Sequence, residues 1–275
     1  MDALNHILKL LAEKRGFDFS GYRRPMLERR LQKRMFITNC GKPVEYLEYL
    51  QDNTEELDAL IDVFTINVSS FFRNPLVFEY LERIVLHKVI NPITLKKDGL
   101  LRIWSAGCSR GEEPYSIAMA VSEFLKKEKK SLDTIIFATD IDKKALSKGK
   151  SGIYDKQSLF NIKLGMAESY LKEESGRYLV DDELKKTVKF SFFNLLDNNH
   201  IFPPESIYGS FDMVFCRNVL IYFERESQGV IFEKLYKSLK TNGFLVLGEA
   251  ELPPSGQKGK FRRESKCCKI YKKIG

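Results

Sequence analysis

The stretch Trp104-Ser105-Ala106-Gly107-Cys108-Ser109-Arg110-Gly111-Glu112-Glu113-Pro114 decides the fold. It follows a short apolar run, 100–105, and leads into a helical pattern over 114–125. Strand, glycine-bearing turn and helix in that order open a mostly parallel sheet covered by helices on both faces. Glycines directly after a first strand let the backbone approach a ligand at the carboxyl end of the sheet. The glycines are not spaced as G-x-G-x-x-G, and the next acid at a strand end, Asp140, lies well past the roughly 20 residues of a dinucleotide fingerprint. A diphosphate also prefers a helix N-terminus free of anions, and Glu112 and Glu113 occupy this one. Carboxylates facing a ligand there suit a cation, such as the sulfonium and α-ammonium of S-adenosylmethionine. They equally complement the dipole of their own helix, so this segment leaves both roles open.

Outward from that turn the alternation continues. Residues 134–139 read as a second strand ended by Asp140, followed by a short helix at 143–148. Runs at 188–193, 211–216 and 244–247 are further strands, and 224–239 is a helix before the turn Thr241-Asn242-Gly243. The tail, 260–263 and 268–271, reads as a closing antiparallel pair. Residues 150–187 break the pattern and predict an inserted antiparallel subdomain, with an amphipathic stretch at 166–172 and a hairpin within 174–188. Upstream, Leu4, Ile7, Leu8 and Leu11, then Met26, Leu27, Leu31 and Met35, recur at helical spacing. Helices also fit 43–51, 54–64 and 75–89. The expected architecture is a helical domain over 1–88 and an α/β domain over 89–275 carrying the insertion at about 150–187.

Of 275 residues, 43% are apolar and 30% charged, enough apolar chain for a sizeable core and not a disordered polyelectrolyte. No run approaches the roughly 18–20 apolar residues of a membrane span, and 1–17 lacks the pattern of a signal peptide. The five cysteines include no CxxC pair, and the three histidines form no HExxH. Metal-free chemistry in a reducing cytoplasm is expected, with Cys108, Cys216, Cys267 and Cys268 as small core residues. The net charge of +8 favours an acidic partner. Eight basic residues against two acidic ones make 14–34 a local patch of net +6, which includes Arg23, Arg24, Arg29, Arg30, Lys33 and Arg34.

Four further groups carry chemistry. Asp140 is placed to accept hydrogen bonds from ribose hydroxyls, or to cap the helix after it. Asn194, after the third strand, offers an amide to an adenine edge. Arg217 and Asn218 end the fourth strand, with Tyr222 four residues on, where a transferring group would sit. Finally, 65–75 sets Asn67, Ser69 and Arg73 around Phe71-Phe72, an aromatic pair better suited to packing over a site than to a surface linker.

Together INVSSFFRNP (66–75), WSAGCSRGEEPYSIAMA (104–120), ATDIDKKAL (138–146), SGIY (151–154), FFNLL (192–196) and FDMVFCRNVLIYF (211–223) resemble the CheR-type chemotaxis protein methyltransferases. The resemblance implies a Rossmann-like α/β methyltransferase fold whose sheet ends in an antiparallel strand. It implies S-adenosylmethionine held by Asn67, Ser69, Arg73, Glu113, Asp140, Asn194, Leu195, Arg217 and Asn218, beside the turn in which Gly107 lets the backbone approach a ligand. Arg73 and Tyr222 would position the substrate carboxylate, a receptor glutamate converted to its γ-methyl ester with release of S-adenosylhomocysteine. The basic helix, Arg23 to Arg34, would face the cytoplasmic helices of a chemoreceptor. The resemblance implies a cytoplasmic monomer recruited to receptor arrays, with no metal, nucleic-acid partner or membrane insertion. Arg110 stands where the family's pattern has a small hydroxyl residue. The shorter hairpin suggests an enzyme that does not need a receptor tether peptide.

The sparse catalytic equipment fits this chemistry. Glutamate, with a reference pKa near 4.3, is already an anion at neutral pH and needs no base. Catalysis reduces to bringing a carboxylate oxygen in line with the S–CH₃ bond at roughly 3–3.5 Å. Two other readings compete: a methyltransferase of the same fold acting on RNA or a small molecule, and a cofactor-binding module without turnover. The first is disfavoured because Arg217-Asn218-Val219-Leu220 replaces the Asn/Asp-Pro-Pro-aromatic loop usual for nitrogen-directed transfer.

Overall fold

The computed structural model describes residues 3–95, 99–254, 256 and 259–274. They form two compact units, one of residues up to Ile66 with Tyr222–Gly229, the other of Asn67–Ile221 with Val230 onward. The boundary therefore lies at Ile66/Asn67, not at 88. Val77, Phe78, Leu81, Val85, Leu86 and Ile90 share a buried core with the sheet residues Leu101, Ile103, Met213 and Phe215, which ties 67–88 to the second unit.

In the first unit, α1 (Ala3–Arg15), α2 (Arg24–Ile37), α3 (Pro43–Asp52) and α4 (Thr54–Phe64) enclose a core of Leu4, Ile7, Leu11, Leu27, Leu31, Met35, Tyr46, Leu60 and Phe64. The two apolar stripes read from the sequence are the buried faces of α1 and α2. Pro25 and Pro43 sit in the first turns of α2 and α3, where a missing N–H costs nothing. Segment 222–229 joins this unit through an antiparallel bridge of Tyr22 with Phe223, whose rings lie 4.5 Å apart.

The second unit is built on seven strands: β1 (Leu100–Ala106), β2 (Asp133–Asp140), β6 (Val188–Phe192), β7 (Phe211–Cys216), β8 (Leu239–Leu247), β9 (Phe261–Arg263) and β10 (Ile270–Lys273). Their order is β6-β2-β1-β7-β8-β10-β9. All pairs from β6 to β8 are parallel, and β10 runs antiparallel to both β8 and β9. The expected turn Thr241-Asn242-Gly243 is instead taken into β8 as an irregularity, with Phe211 opposite Leu239 and Met213 opposite Phe244. Asn242 takes a left-handed φ of 67° there.

The helix expected at 75–89 is α5 (Pro75–Tyr80), a π-helical turn (Leu81–Val85) and α6 (Leu86–Thr94). It runs on through Pro92 because Leu86, Val89, Ile90 and Ile93 are buried along one side. Helices α7 (Glu112–Lys127) and α8 (Lys143–Ser151) follow β1 and β2. The insertion is a three-stranded antiparallel sheet, β3 (Ile153–Asp155), β4 (Leu171–Glu174) and β5 (Arg177–Val180), with α9 (Leu164–Tyr170) before β4. The hairpin thus lies at 171–180, earlier than the expected 174–188. Ser175 and Gly176 both take positive φ and close it as a two-residue turn. Helix α10 (Asp182–Thr187) fills the rest, and α11 (Arg225–Ser238) precedes β8.

Cys108, Cys216 and Cys268 are buried as expected, whereas Cys267 is exposed. Among the described residues no helix is long and apolar enough to cross a membrane.

Glu56 is the polar anchor of the helical unit. Only 8% exposed, it makes bonds of 2.8 and 2.6 Å with Arg34, and Tyr46 Oη donates to it at 2.6 Å. Removing one partner of such a buried pair costs roughly 3–5 kcal/mol. Glu56→Ala is expected to lower stability by about that much in urea unfolding, with Arg29→Ala as a surface control near zero.

Candidate active site

Parallel register brings the carboxyl ends of β1, β2, β6 and β7 to one edge of the sheet, with β1 at the centre. From β1 the chain enters the glycine turn, where Gly107 and Cys108 donate backbone N–H bonds to Thr139 O at 2.8 and 2.9 Å. Gly107 has φ 77°, and a Cβ there would overlap the Val219 side chain. Gly111, at φ 94°, caps α7, and a Cβ on it would lie 2.8 Å from Tyr154 Oη. Tyr154 backs the turn by donating to Arg110 O at 2.7 Å, while the Arg110 side chain is exposed.

Glu113 and Arg217 form the centre of this edge. Arg217 Nη1 lies 3.1 Å from Glu113 Oε2, with side-chain exposures of 2% and 12%. Ser105 Oγ donates to the other Glu113 oxygen at 2.8 Å. Arg217 Nη2 donates to Arg73 O at 2.7 Å and Asn74 Oδ1 at 2.9 Å, and the guanidinium lies over the Phe78 ring. One buried cation thus ties the turn after β7, α7 and loop 65–74 together.

That loop is fixed by its aromatic pair. Phe71 meets Tyr154 edge-on at 4.8 Å, Phe72 meets Phe78 at 4.9 Å, and Phe72 N donates to Ser116 Oγ. Between these anchors Asn67 Nδ2 donates to Asp142 Oδ2 at 2.5 Å, and Ser109 Oγ donates to Asn67 Oδ1 at 3.1 Å. Ser69 hydrogen-bonds Glu112. Arg73 is half-buried and donates to Val68 O at 3.0 Å.

Asp140 accepts from Ser109 N at 2.7 Å and Asp142 N at 3.0 Å. The capping of α8 falls to Asp142, which accepts from Lys144 N and Ala145 N. Of the two roles open to Asp140, the cap is therefore taken by its neighbour. Asn194 spends its side-chain oxygen on Leu196 N at 2.9 Å, and Leu195 is buried.

Tyr222 clusters with the first unit, where its carbonyl accepts from Arg23 N at 2.8 Å. The basic residues of that unit divide by environment. Arg34 is consumed by Glu56 and is a structural residue, not a docking one. Arg30 is half-buried, bonds to Val63 O and leaves its Nε shielded without a partner. Arg24 pairs with Glu28 and Asn5. Arg23, Arg29 and Lys33 face solvent, and beside the last two Phe36 and Ile37 are 84% and 61% exposed. Sequence reasoning missed Ser105, Asn74, Asp142 and Glu251, the last a buried carboxylate that accepts from the backbone N–H groups of 218–220. Asn74-Pro75 was a local turn signal, but the other three have roles that only folding creates.

The residues of this edge fit a cationic nucleoside. Glu112, Glu113 and Asp140 bring carboxylates to the carboxyl end of β1 and β2, with Arg217 paired to Glu113 and Arg110 and Lys148 acting on Glu112. Glu112 Oε2 and Asn218 Oδ1 are shielded acceptors with no partner among the described residues, available to donors on a bound molecule. Burial pushes the Cys108 and Cys216 thiols well up, so neither supplies a thiolate nucleophile near neutrality.

Residues 67–269 match the sequence pattern of the CheR methyltransferase SAM binding domain, and 2–65 that of the CheR methyltransferase all-alpha domain. The chain belongs to the CheR methyltransferase family. It is 32% identical over 253 residues to a chemotaxis protein methyltransferase of Borreliella burgdorferi, a match covering 91% of this chain and 88% of that one. It is 34% identical over 243 residues to chemotaxis protein methyltransferase 2 of Vibrio cholerae, covering 87% and 81%. A chemotaxis protein methyltransferase of Escherichia coli is 32% identical over 255 residues, covering 89% and 82%. This CheR-family protein is an S-adenosylmethionine-dependent methyltransferase, and the cationic fit of its site agrees with that cofactor.

Burial also raises the carboxyl pKa values of Glu112, Glu113 and Asp140, against the pull of Arg217 on Glu113 and of backbone N–H groups on Asp140. The folded chain binds protons at these groups more tightly than the unfolded chain. Their contribution to stability is thus greatest at low pH and falls as pH rises from the ordinary carboxylate range through the raised values. A cationic ligand reverses this preference, so binding should expel protons. S-Adenosylmethionine affinity is expected to fall as pH is lowered from neutrality into the range where these raised carboxyls take up protons. Calorimetry in buffers of different ionisation enthalpy should show proton release, and an enthalpy independent of buffer would contradict the assignment.

Proposed function

We propose that this methyltransferase esterifies glutamate side chains on the cytoplasmic helices of chemoreceptors, in chemotactic adaptation. The observation that carries the reading is the buried Glu113–Arg217 pair at the carboxyl end of the sheet, in a chain whose relatives are chemotaxis protein methyltransferases. When bound, S-adenosylmethionine supplies a methyl group already activated by its sulfonium leaving group. Asn67, Ser69, Gly107, Glu113, Asp140, Asn194, Leu195, Arg217 and Asn218 hold that molecule, with the Arg73 backbone drawn in by Arg217.

Arg73 and Tyr222 orient the substrate carboxylate. The nucleophile is already ionised near neutrality, so no residue of the chain needs to act as a base. Arg73 contributes by orientation, because gripping the ground-state anion more tightly than the transition state would raise the barrier. Its bond to Val68 O leaves a side chain that must be redirected by the incoming acid, which suits a modest grip.

Docking uses the outer face of α2. Arg23, Arg29 and Lys33 supply charge for an acidic helix, and Phe36 and Ile37 supply apolar contact. The two-residue hairpin at Ser175-Gly176 supports an enzyme that acts without a receptor tether. The site of action is the cytoplasm, at receptor arrays, with the enzyme as a monomer.

Radiolabelled methyl transfer to receptor membranes, followed by base treatment, tests the reaction. Label released as methanol is expected, and base-stable label would instead favour nitrogen- or RNA-directed transfer. Arg73→Ala and Tyr222→Phe should cut turnover by about 100-fold while leaving S-adenosylhomocysteine affinity nearly unchanged. Equal losses of binding and turnover would contradict their roles. KM for receptor should rise as salt shortens the screening length towards about 8 Å at 0.15 M, and more steeply in wild type than in Arg29→Ala/Lys33→Ala.

A further inference from the structure

We infer that Glu251 is a positioning residue of the cofactor site: its buried carboxylate holds turn 217–220 in the shape that presents Arg217 and Asn218. The inference rests on the reading that these two residues contact S-adenosylmethionine.

Strands β7 and β8 are parallel neighbours, with Cys216 opposite Leu247, so the turns that follow them leave the sheet side by side. The turn after β7 carries Arg217 and Asn218, and the turn after β8 is Gly248-Glu249-Ala250-Glu251. Glu251 is 3% exposed. Its Oε1 accepts from Val219 N at 2.8 Å and Leu220 N at 2.7 Å. Its Oε2 accepts from Asn218 N at 2.9 Å and Gly248 N at 2.6 Å.

Three successive N–H groups of one turn therefore converge on a single carboxylate. Such a concavity of backbone donors is an anion site, and here the anion is supplied by the chain itself. The convergence requires Asn218 to take a left-handed backbone, φ 58°, a conformation that needs support from its surroundings. Glu251 supplies that support, and with it fixes the direction in which the unpartnered Asn218 Oδ1 points. Gly248 permits the approach, since a Cβ there would lie 2.7 Å from both Asn218 N and Glu251 Oε2. Glu251 also acts on Glu113 through space, working against its ionisation. The same carboxylate thus shapes the turn and adds to the negative field that a cationic ligand relieves.

Glutamine keeps the size of this side chain but turns one acceptor into a donor that faces N–H groups. Gly248→Ala keeps the charge and displaces the carboxylate sterically. The test measures S-adenosylhomocysteine binding by calorimetry for the full-length wild type, Glu251→Gln, Gly248→Ala, Asn218→Ala and Arg217→Met. Thermal melting and hydrogen exchange of the ligand-free proteins accompany it.

Both Glu251→Gln and Gly248→Ala are expected to weaken binding at least about tenfold with stoichiometry still near one. Amides 218–220 should exchange faster in the ligand-free variants while those of β1 and β2 keep their protection. A reduced stoichiometry with unchanged affinity would mean that Glu251 merely supports folding, and would overturn the inference. So would wild-type affinity in Gly248→Ala, which would leave charge without positioning. If Glu251→Gln does not fold, Gly248→Ala decides alone. Tight binding by both Asn218→Ala and Arg217→Met would instead overturn the reading of the site on which the inference rests.

Discussion

The buried pair of Arg217 and Glu113 is the constraint on which the rest of the second unit depends. Taking both charges out of water is costly, and mutual attraction offsets the cost only when the remaining hydrogen-bonding capacity is used. That requirement is met by Ser105 on the carboxylate and by Arg73 O and Asn74 Oδ1 on the guanidinium. Each partner comes from a different part of the chain: the end of β1, the first turn of α7, the loop before α5 and the turn after β7. Satisfying one ion pair therefore fixes four segments at the same edge of the sheet. A hydrophobic replacement of equal volume would pack there, but it would not tie loop 65–74 to the turn that follows β7.

Glu251 adds negative charge against Glu113, and burial makes ionisation of Glu112, Glu113 and Asp140 harder. A ligand carrying positive charge lowers the free energy of the whole cluster at once. This explains how a site whose buried thiols stay protonated serves methyl transfer. Its chemistry is already stored in the cofactor, and the protein contributes charge complementarity and alignment.

The first unit follows a different logic. Its helices bury one apolar stripe each, and α2 carries arginines on three sides. The one facing Glu56 and Tyr46 holds the unit together, Arg30 is turned inward, and Arg29 and Lys33 are left to solvent beside Phe36 and Ile37. A run of like charges in the sequence is thus divided by the helix period into structural and exposed groups. The exposed remainder sets Arg29 and Lys33 beside the apolar Phe36 and Ile37.

The strand–turn–helix order, the positions of the parallel strands, the stripes of α1 and α2, and the family through six motifs in order are all legible in the amino-acid sequence. Those features are local in period or in spacing, so a one-dimensional reading reaches them. It placed the domain boundary too late, because helical periodicity over 75–89 does not say which core the helix joins. It took Thr241-Asn242-Gly243 for a turn, since only the pairing with β7 shows a strand absorbing the irregularity. It offered two roles for Asp140 and could not see that Asp142 takes the cap. Arg34 and Arg29 were indistinguishable as letters, and Glu251 carried no motif at all. Tertiary structure alone decided which charges are buried, because burial and hydrogen-bond partners arise between residues tens or hundreds of positions apart.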